Sequence, residues 1–299
     1  MFKAFLRVLF SCILSLFLAI LGLGVALCHY GQTTVCNPDL LQQVAIDNGY
    51  SQQLYEEIVY DWENYLAITG VETPEDIMVV LTQEQVQQDA LRYLVDAYTG
   101  KATVDTATLR NDLEAKVREY AYSHNIYETP EDELSENIND LVDACIDDYR
   151  SAISVPMLNK ILGTVNRFGT VLSTCTIALA FGCVFLLLFL FFLQKKRQDT
   201  LYYTAISSAT GSIILLAIPA VAAYYDVVNR LPFMDSALKS LVRGYLQAII
   251  GKIDQYGKIF LIATIAALAL YIVTTIVLAI ISTRKPTAKV ETDLQEDLK

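Results

Sequence analysis

Histidine is nearly missing from this sequence of 299 residues, and several kinds of chemistry go with it. Only His29 and His124 occur, and neither has a His-x-x-x-His or Cys-x-x-Cys companion, so a zinc site has no ligand set. There is no Gly-x-Ser-x-Gly elbow, no phosphate-binding loop and no dinucleotide fingerprint. His124, Cys145 and a nearby acid would together resemble a Cys-His dyad, but a solvated histidine and a buried core thiol account for them better. The acid runs Glu131-Asp-Glu133 and Asp147-Asp148 lack the Asp-x-Asp-x-Asn-Gly loop of calcium sites. They read as first-turn acids and solvated helix faces. No catalytic, cofactor-binding or metal-binding residue is assigned, and the balance is against an enzyme.

Charge is also missing from particular places. The chain is 54% hydrophobic yet carries a net charge of -11, which requires apolar and charged residues to occupy separate segments. Apolar runs without an Asp, Glu, Lys, Arg or His cover 8–28, 168–193, 201–225 and 259–282, each near the ~20 residues that span ~30 Å of hydrocarbon. The first run follows Lys3 and Arg7. It exceeds a signal-peptide core in length and reads as a retained signal-anchor over 1–28, although Gly24-Val-Ala26 resembles a cleavage site. Lys3, Arg7, the Lys195-Lys-Arg197 turn, Arg284 and Lys285 all fall on one side if there are four spans, which places both termini in the cytoplasm of a multi-pass cell-membrane protein. The tail 283–299 is too short to fold alone.

Between 29 and 167 the balance reverses, with 25 Asp or Glu against 8 Lys or Arg, a difference of -17. That acidic surface excludes nucleic acid as a partner. Apolar residues recur at three and four, predicting an extracytoplasmic domain of about five helices inserted between the first and second spans. Leu54, Ile58, Trp62, Tyr65 and Leu66 stripe one helix after Asn48-Gly49. Thr73-Pro-Glu-Asp76 opens a short second one and Thr82-Gln-Glu-Gln85 a third. Leu109, Leu113, Val117 and Tyr120 stripe the fourth, and Thr129-Pro-Glu-Asp132 opens the fifth, carrying Ile138, Leu141, Cys145 and Tyr149. No breaker follows Pro156, so the next helix runs on into the second span. The two Glu-Thr-Pro-Glu-Asp copies read as recurrent capping rather than duplication, because their flanks do not keep one offset. Cys36 and Cys145 are the two unambiguously external cysteines, and either a disulfide between them or two free thiols fits.

The order Asn48-Gly-Tyr50, Leu54-Tyr-Glu-Glu57, Glu63-Asn-Tyr65, then Thr82-Gln-Glu84 through Tyr98-Thr-Gly-Lys101 and Val104-Asp-Thr106, followed by three spans, resembles a group of uncharacterised four-span membrane proteins of Gram-positive bacteria. The likeness covers most of the chain. It implies the same all-α architecture, a four-helix transmembrane bundle with an inserted helical external domain, and no established activity.

Residues 168–282 are expected to form three spans and, at 236–256, an outer amphipathic helix with Lys239, Arg243 and Lys252 off its apolar stripe. That helix could lie against lipid headgroups, dock under the acidic domain, or pack as a cap on the other helices. Ser208, Gly211 and Ser212 are small residues suited to close helix packing within the third span. The reading from these features is a binding or interaction protein, a sensor or accessory subunit, whose partners are membrane lipid and another membrane or envelope protein. The alternative is a small-molecule or ion transporter using the bundle.

Overall fold

The computed structural model describes residues 2–124, 131–230 and 236–284. Among them the chain forms ten α-helices and no strand. It divides into two compact units, one of Met1–Gly31, Val171–Tyr225 and Ile250–Lys299, the other of Gln32–Thr170 and Asp226–Ile249. The expected cap at Thr129-Pro130, Asp235, Lys285 and the tail beyond it lie outside the described residues.

The first unit is apolar. It is built from α1 (Phe2–Tyr30), the later part of α8 (Pro156–Leu193), α9 (Gln198–Tyr224) and the later part of α10 (Ser236–Arg284). All four helices are long and apolar enough to cross a membrane, so the chain has the composition of a multi-pass membrane protein. Polar contacts between them are few and go to backbone or to one another, as helices without a hydrophobic driving force require. Ser15 Oγ of α1 donates to the Tyr203 carbonyl of α9 at 2.9 Å, and Gln194 Nε2 donates to Ser11 Oγ at 2.6 Å. A Cβ built on Gly24 would stand 3.0 Å from Leu179 of α8, so the glycine lets that side chain close on α1. In the turn between α8 and α9 the Arg197 guanidinium lies over the Phe191 ring at 5.2 Å.

The second unit carries the acid. Its helices are α2 (Pro38–Asp47), α3 (Tyr50–Ile68), α4 (Pro74–Met78), α5 (Gln83–Ala97), α6 (Ala107–Ser123) and α7 (Glu131–Ile153), joined by the first turns of α8 and α10. They bury one core in which Trp62, Ile58, Leu66, Ile77 and Tyr149 are inaccessible. Caps set the boundaries. Thr82 Oγ1 accepts from Gln85 N at 3.2 Å, and Gly49 takes the left-handed φ of 65° that starts α3. At Thr73 the expected cap differs: its hydroxyl donates to the Asp76 carboxylate at 2.9 Å, so side chain holds side chain and the backbone amides are left to the proline-led turn.

Two sequence expectations need correction. The domain has six helices before Pro156 rather than five: α2 is only ten residues, too short to show a sustained apolar stripe, and its signal is Asn37-Pro38, where the Asn37 side chain accepts from Asp39 N at 3.0 Å. The segment 236–256 and the span 259–282 are one continuous helix, Ser236–Arg284. Isolated Gly251 and Gly257 do not interrupt it, and Lys258 pairs with Asp254 one turn back at 2.5 Å. By contrast α8 does run unbroken from Pro156 to Leu193, as the lack of a breaker predicts.

A short π-helical turn, Gly31–Val35, follows α1. Carbonyls at a helix end have no partner within the helix. Here two distant tyrosines supply one: Tyr245 Oη donates to the Val35 carbonyl at 3.2 Å, and Tyr98 Oη lies 3.3 Å from the carbonyls of both Val35 and Asn37. Burial and the adjoining Tyr245 push the Tyr98 phenol well above its ordinary range, so both remain donors at any physiological pH.

Candidate functional site

Among the cavities of the acidic unit, two differ clearly in chemistry. The larger, about 520 Å³, lies between the C-terminal end of α3, α6 and α7, with Ile68, Val71, Val117, Tyr120, Ile138 and Leu141 among its walls. Its volume is that of a small-molecule site. Tyr120 helps to build it from a fixed position, since its hydroxyl accepts from Glu72 N at 2.9 Å and its ring stacks on His124 with centroids 4.0 Å apart. Ile68, 82% exposed at the end of α3, gives this cavity an apolar rim. Asn137 and Asp140 are its polar edge.

The smaller cavity, about 290 Å³, is bounded by α3, the end of α7, the Ser154–Pro156 link and the start of α10. Glu57 closes one side. Its carboxylate accepts from Ser236 N and Ala237 N, each at 3.1 Å, and from the Ser236 hydroxyl, so it caps α10 from a different helix. Asp61 and Asp148 face each other across α3 and α7. Burial, and after it the Asp61 carboxylate, raises the Asp148 carboxyl to about 6. Asp148 Oδ2 is shielded from solvent and takes no hydrogen bond from any described residue.

No known protein family, curated protein or solved structure matches this chain.

The cysteines are not joined. Cys36 and Cys145 are both free thiols, which corrects the disulfide reading in favour of its alternative. Cys36 Sγ donates to the Val165 carbonyl at 3.5 Å, whereas Cys145 is buried in the core of α7, where burial raises its thiol to about 12. His124 does not serve it either: the imidazole Nδ1 lies 3.0 Å from Ser123 Oγ and 3.1 Å from the Tyr120 carbonyl, contacts made on its own helix end. Among the described residues no three His, Cys, Asp or Glu side chains converge as a metal site would need.

The residues of α10 divide by face. Ala237 and Leu241 are buried in the acidic unit's core and Tyr245 packs against it, while Lys239, Arg243 and Lys252 are exposed. Arg243 donates to Asn229 Oδ1, and among the described residues neither it nor Lys239 forms an ion pair. Docking of this segment to the acidic unit therefore rests on apolar burial and the Glu57 cap rather than on its cations. In the apolar unit, Ser208 Oγ donates to the Phe260 carbonyl at 2.8 Å and Ser212 Oγ to the Gly257 carbonyl at 3.1 Å. A Cβ on Gly211 would stand 2.6 Å from the Phe260 ring. All three residues sit where α9 meets α10.

Sequence reading missed the smaller cavity. The sequence sets Asp148 beside Asp147 on an acidic face, yet Asp147 pairs with Arg150 at 2.9 Å in the open while Asp148 turns inward. The available signal was position: Asp148 lies three residues after Cys145 and beside Tyr149, at the edge of the buried stripe.

Proposed function

We propose that this chain is a membrane-anchored binding protein, a sensor or accessory subunit whose acidic helical unit faces the extracytoplasmic side and engages another membrane or envelope protein. The observation that carries the reading is the 520 Å³ apolar cavity with Ile68 exposed at its rim, a ready seat for an apolar side chain or short apolar segment of a partner. The kinship to uncharacterised four-span proteins of Gram-positive bacteria is part of the same proposal. Lys195, Lys196 and Arg197 between α8 and α9, with the basic residues at both chain ends, support cytoplasmic termini.

The transport alternative has less behind it, because the hydroxyls of Ser208 and Ser212 are engaged with the α10 backbone rather than lining a path. Two measurements test the leading reading. Impermeant thiol reagents in intact cells should label single cysteines at Glu136 and Lys239 but not at Lys196, in a cysteine-free background; the reverse pattern would overturn the assignment of sides. A photo-crosslinking amino acid at Ile68 should then trap one specific membrane protein that the same probe at Glu119 does not. Failure of the Ile68 probe to trap any specific protein in native membranes would count against a partner at that cavity.

A further inference from the structure

We propose that the cavity formed by Asp61, Asp148 and Tyr50 is a binding site for a small primary ammonium compound with a short apolar body. This goes beyond the partner-binding reading, since it concerns a different cavity and a different chemistry.

Three acceptors converge there. Asp148 Oδ2 is shielded and has no hydrogen-bond partner among the described residues. Asp61 supplies a second carboxylate from α3. Tyr50 lines the same cavity and is only 2% exposed, yet its hydroxyl makes no hydrogen bond with any described residue. A phenol buried to that degree ordinarily finds a partner, and the cavity is where one would have to come from. Glu57 is not a free acceptor, because the start of α10 already takes its carboxylate.

No cationic side chain lines the cavity. Two facing carboxylates without a cation between them are an unfavourable arrangement that a bound positive charge relieves. An ammonium group has three donors and no acceptor, matching the carboxylates of Asp148 and Asp61 and the Tyr50 oxygen. A bare divalent cation fits less well, since calcium takes six to eight oxygens and no three acidic side chains converge here among the described residues. The remaining walls, Leu54, Val155, Pro156 and Leu238, are apolar and would hold a short alkyl chain. At about 290 Å³ the cavity sits at the small end of ligand sites, which selects a compact amine over a large one.

The titratable groups facing Asp148 are Asp61, Glu57 and Tyr50 on α3 and Cys145 on its own helix; Lys239 on α10 is exposed. A bound ammonium should draw Asp148 to its ionised form and so release protons near pH 6.

The test is isothermal titration of the full-length protein in lipid nanodiscs with n-butylammonium chloride. Saturable binding is expected at pH 7.5, weakened at least about tenfold in Asp148→Asn and in Asp61→Asn, the loss that follows removal of one charge-assisted hydrogen bond. Tyr50→Phe should weaken it by a smaller factor, and at pH 6 the heat should depend on the buffer's ionisation enthalpy. Asp61 is exposed on α3, so its variant tests the site from a residue outside the packed core. Asp143→Asn, on the open face of α7, should bind as the wild type does, separating the site from general attraction to an acidic surface. Flat titrations, equal binding by n-butanol, equal binding by the Asp61 and Asp148 variants, or saturable binding of calcium with none of the amine would each overturn the proposal.

Discussion

The indole Nε1 of Trp62 donates to the main-chain carbonyl of Cys145 at 3.1 Å, joining α3 to α7 at the centre of the acidic unit. Trp62 is wholly buried and its ring lies 6.5 Å from that of Tyr149, whose hydroxyl donates to Asp89 Oδ2 at 2.7 Å on α5. One aromatic pair thus connects three helices.

Replacing Trp62 tests that connection. Trp62→Phe removes the hydrogen bond and part of the volume and should cost about 1–3 kcal/mol, while Trp62→Ala should cost about 3–5 kcal/mol through cavity formation. Thermal unfolding followed by circular dichroism in nanodiscs measures both. A Trp62→Ala protein melting with the wild type would show that this core does not govern stability.

The contact between Gly163 of α8 and Gly100, in the loop before α6, makes a second prediction. A Cβ at residue 163 would stand 2.6 Å from the Gly100 Cα, and both sides of the clash are backbone. Gly163→Ala should therefore destabilise by about 1–3 kcal/mol, as overpacking does. Gly251→Ala, where nothing lies within 4 Å, should be neutral or gain up to about 1 kcal/mol from helix propensity. Equal melting shifts for the two variants would contradict the close approach.

Asp148 links stability to pH. Its carboxyl is held near 6 in the fold against an ordinary 3.8, so the folded state holds the proton more tightly than the unfolded one. The stability this contributes is fully present below about pH 4 and lost as pH rises through 6. Asp148→Asn should melt higher than the wild type at pH 7.5, with the difference shrinking as pH falls to 5. A difference that is constant with pH would mean that the carboxyl is not desolvated.

Thiol chemistry separates the cysteines. Cys145, buried and raised to about 12, should resist maleimide at pH 8 until the domain unfolds. Mass spectrometry of native and denatured protein reads this directly, and gel mobility should be unaffected by reductant, since no disulfide joins Cys36 and Cys145. Rapid native labelling of Cys145 would contradict the packing of α7.

The four apolar helices were legible because runs of twenty residues without an Asp, Glu, Lys, Arg or His have few other uses. Most of the acidic unit was legible too: Leu54, Ile58, Trp62 and Leu66 repeat at the helical period and are all buried. What periodicity could not supply is the meeting of distant segments. Tyr98 and Tyr245 lie 147 residues apart and share one carbonyl at Val35, and Glu57 caps a helix 179 residues later. Asp148 belongs with these, as the packing of α3 against α7, and not the wheel position alone, decides whether an edge residue faces water.

The cap at Glu57 also sets a schedule. The acidic unit needs Asp226–Ile249 as well as Gln32–Thr170, so at synthesis rates of about 5–20 residues per second some 79 residues (249 − 170), and roughly 4–16 s, separate the emergence of its first part from that of its last. During that interval the groove that Ala237 and Leu241 will fill is open, and the nascent chain must complete α9 before it can close it.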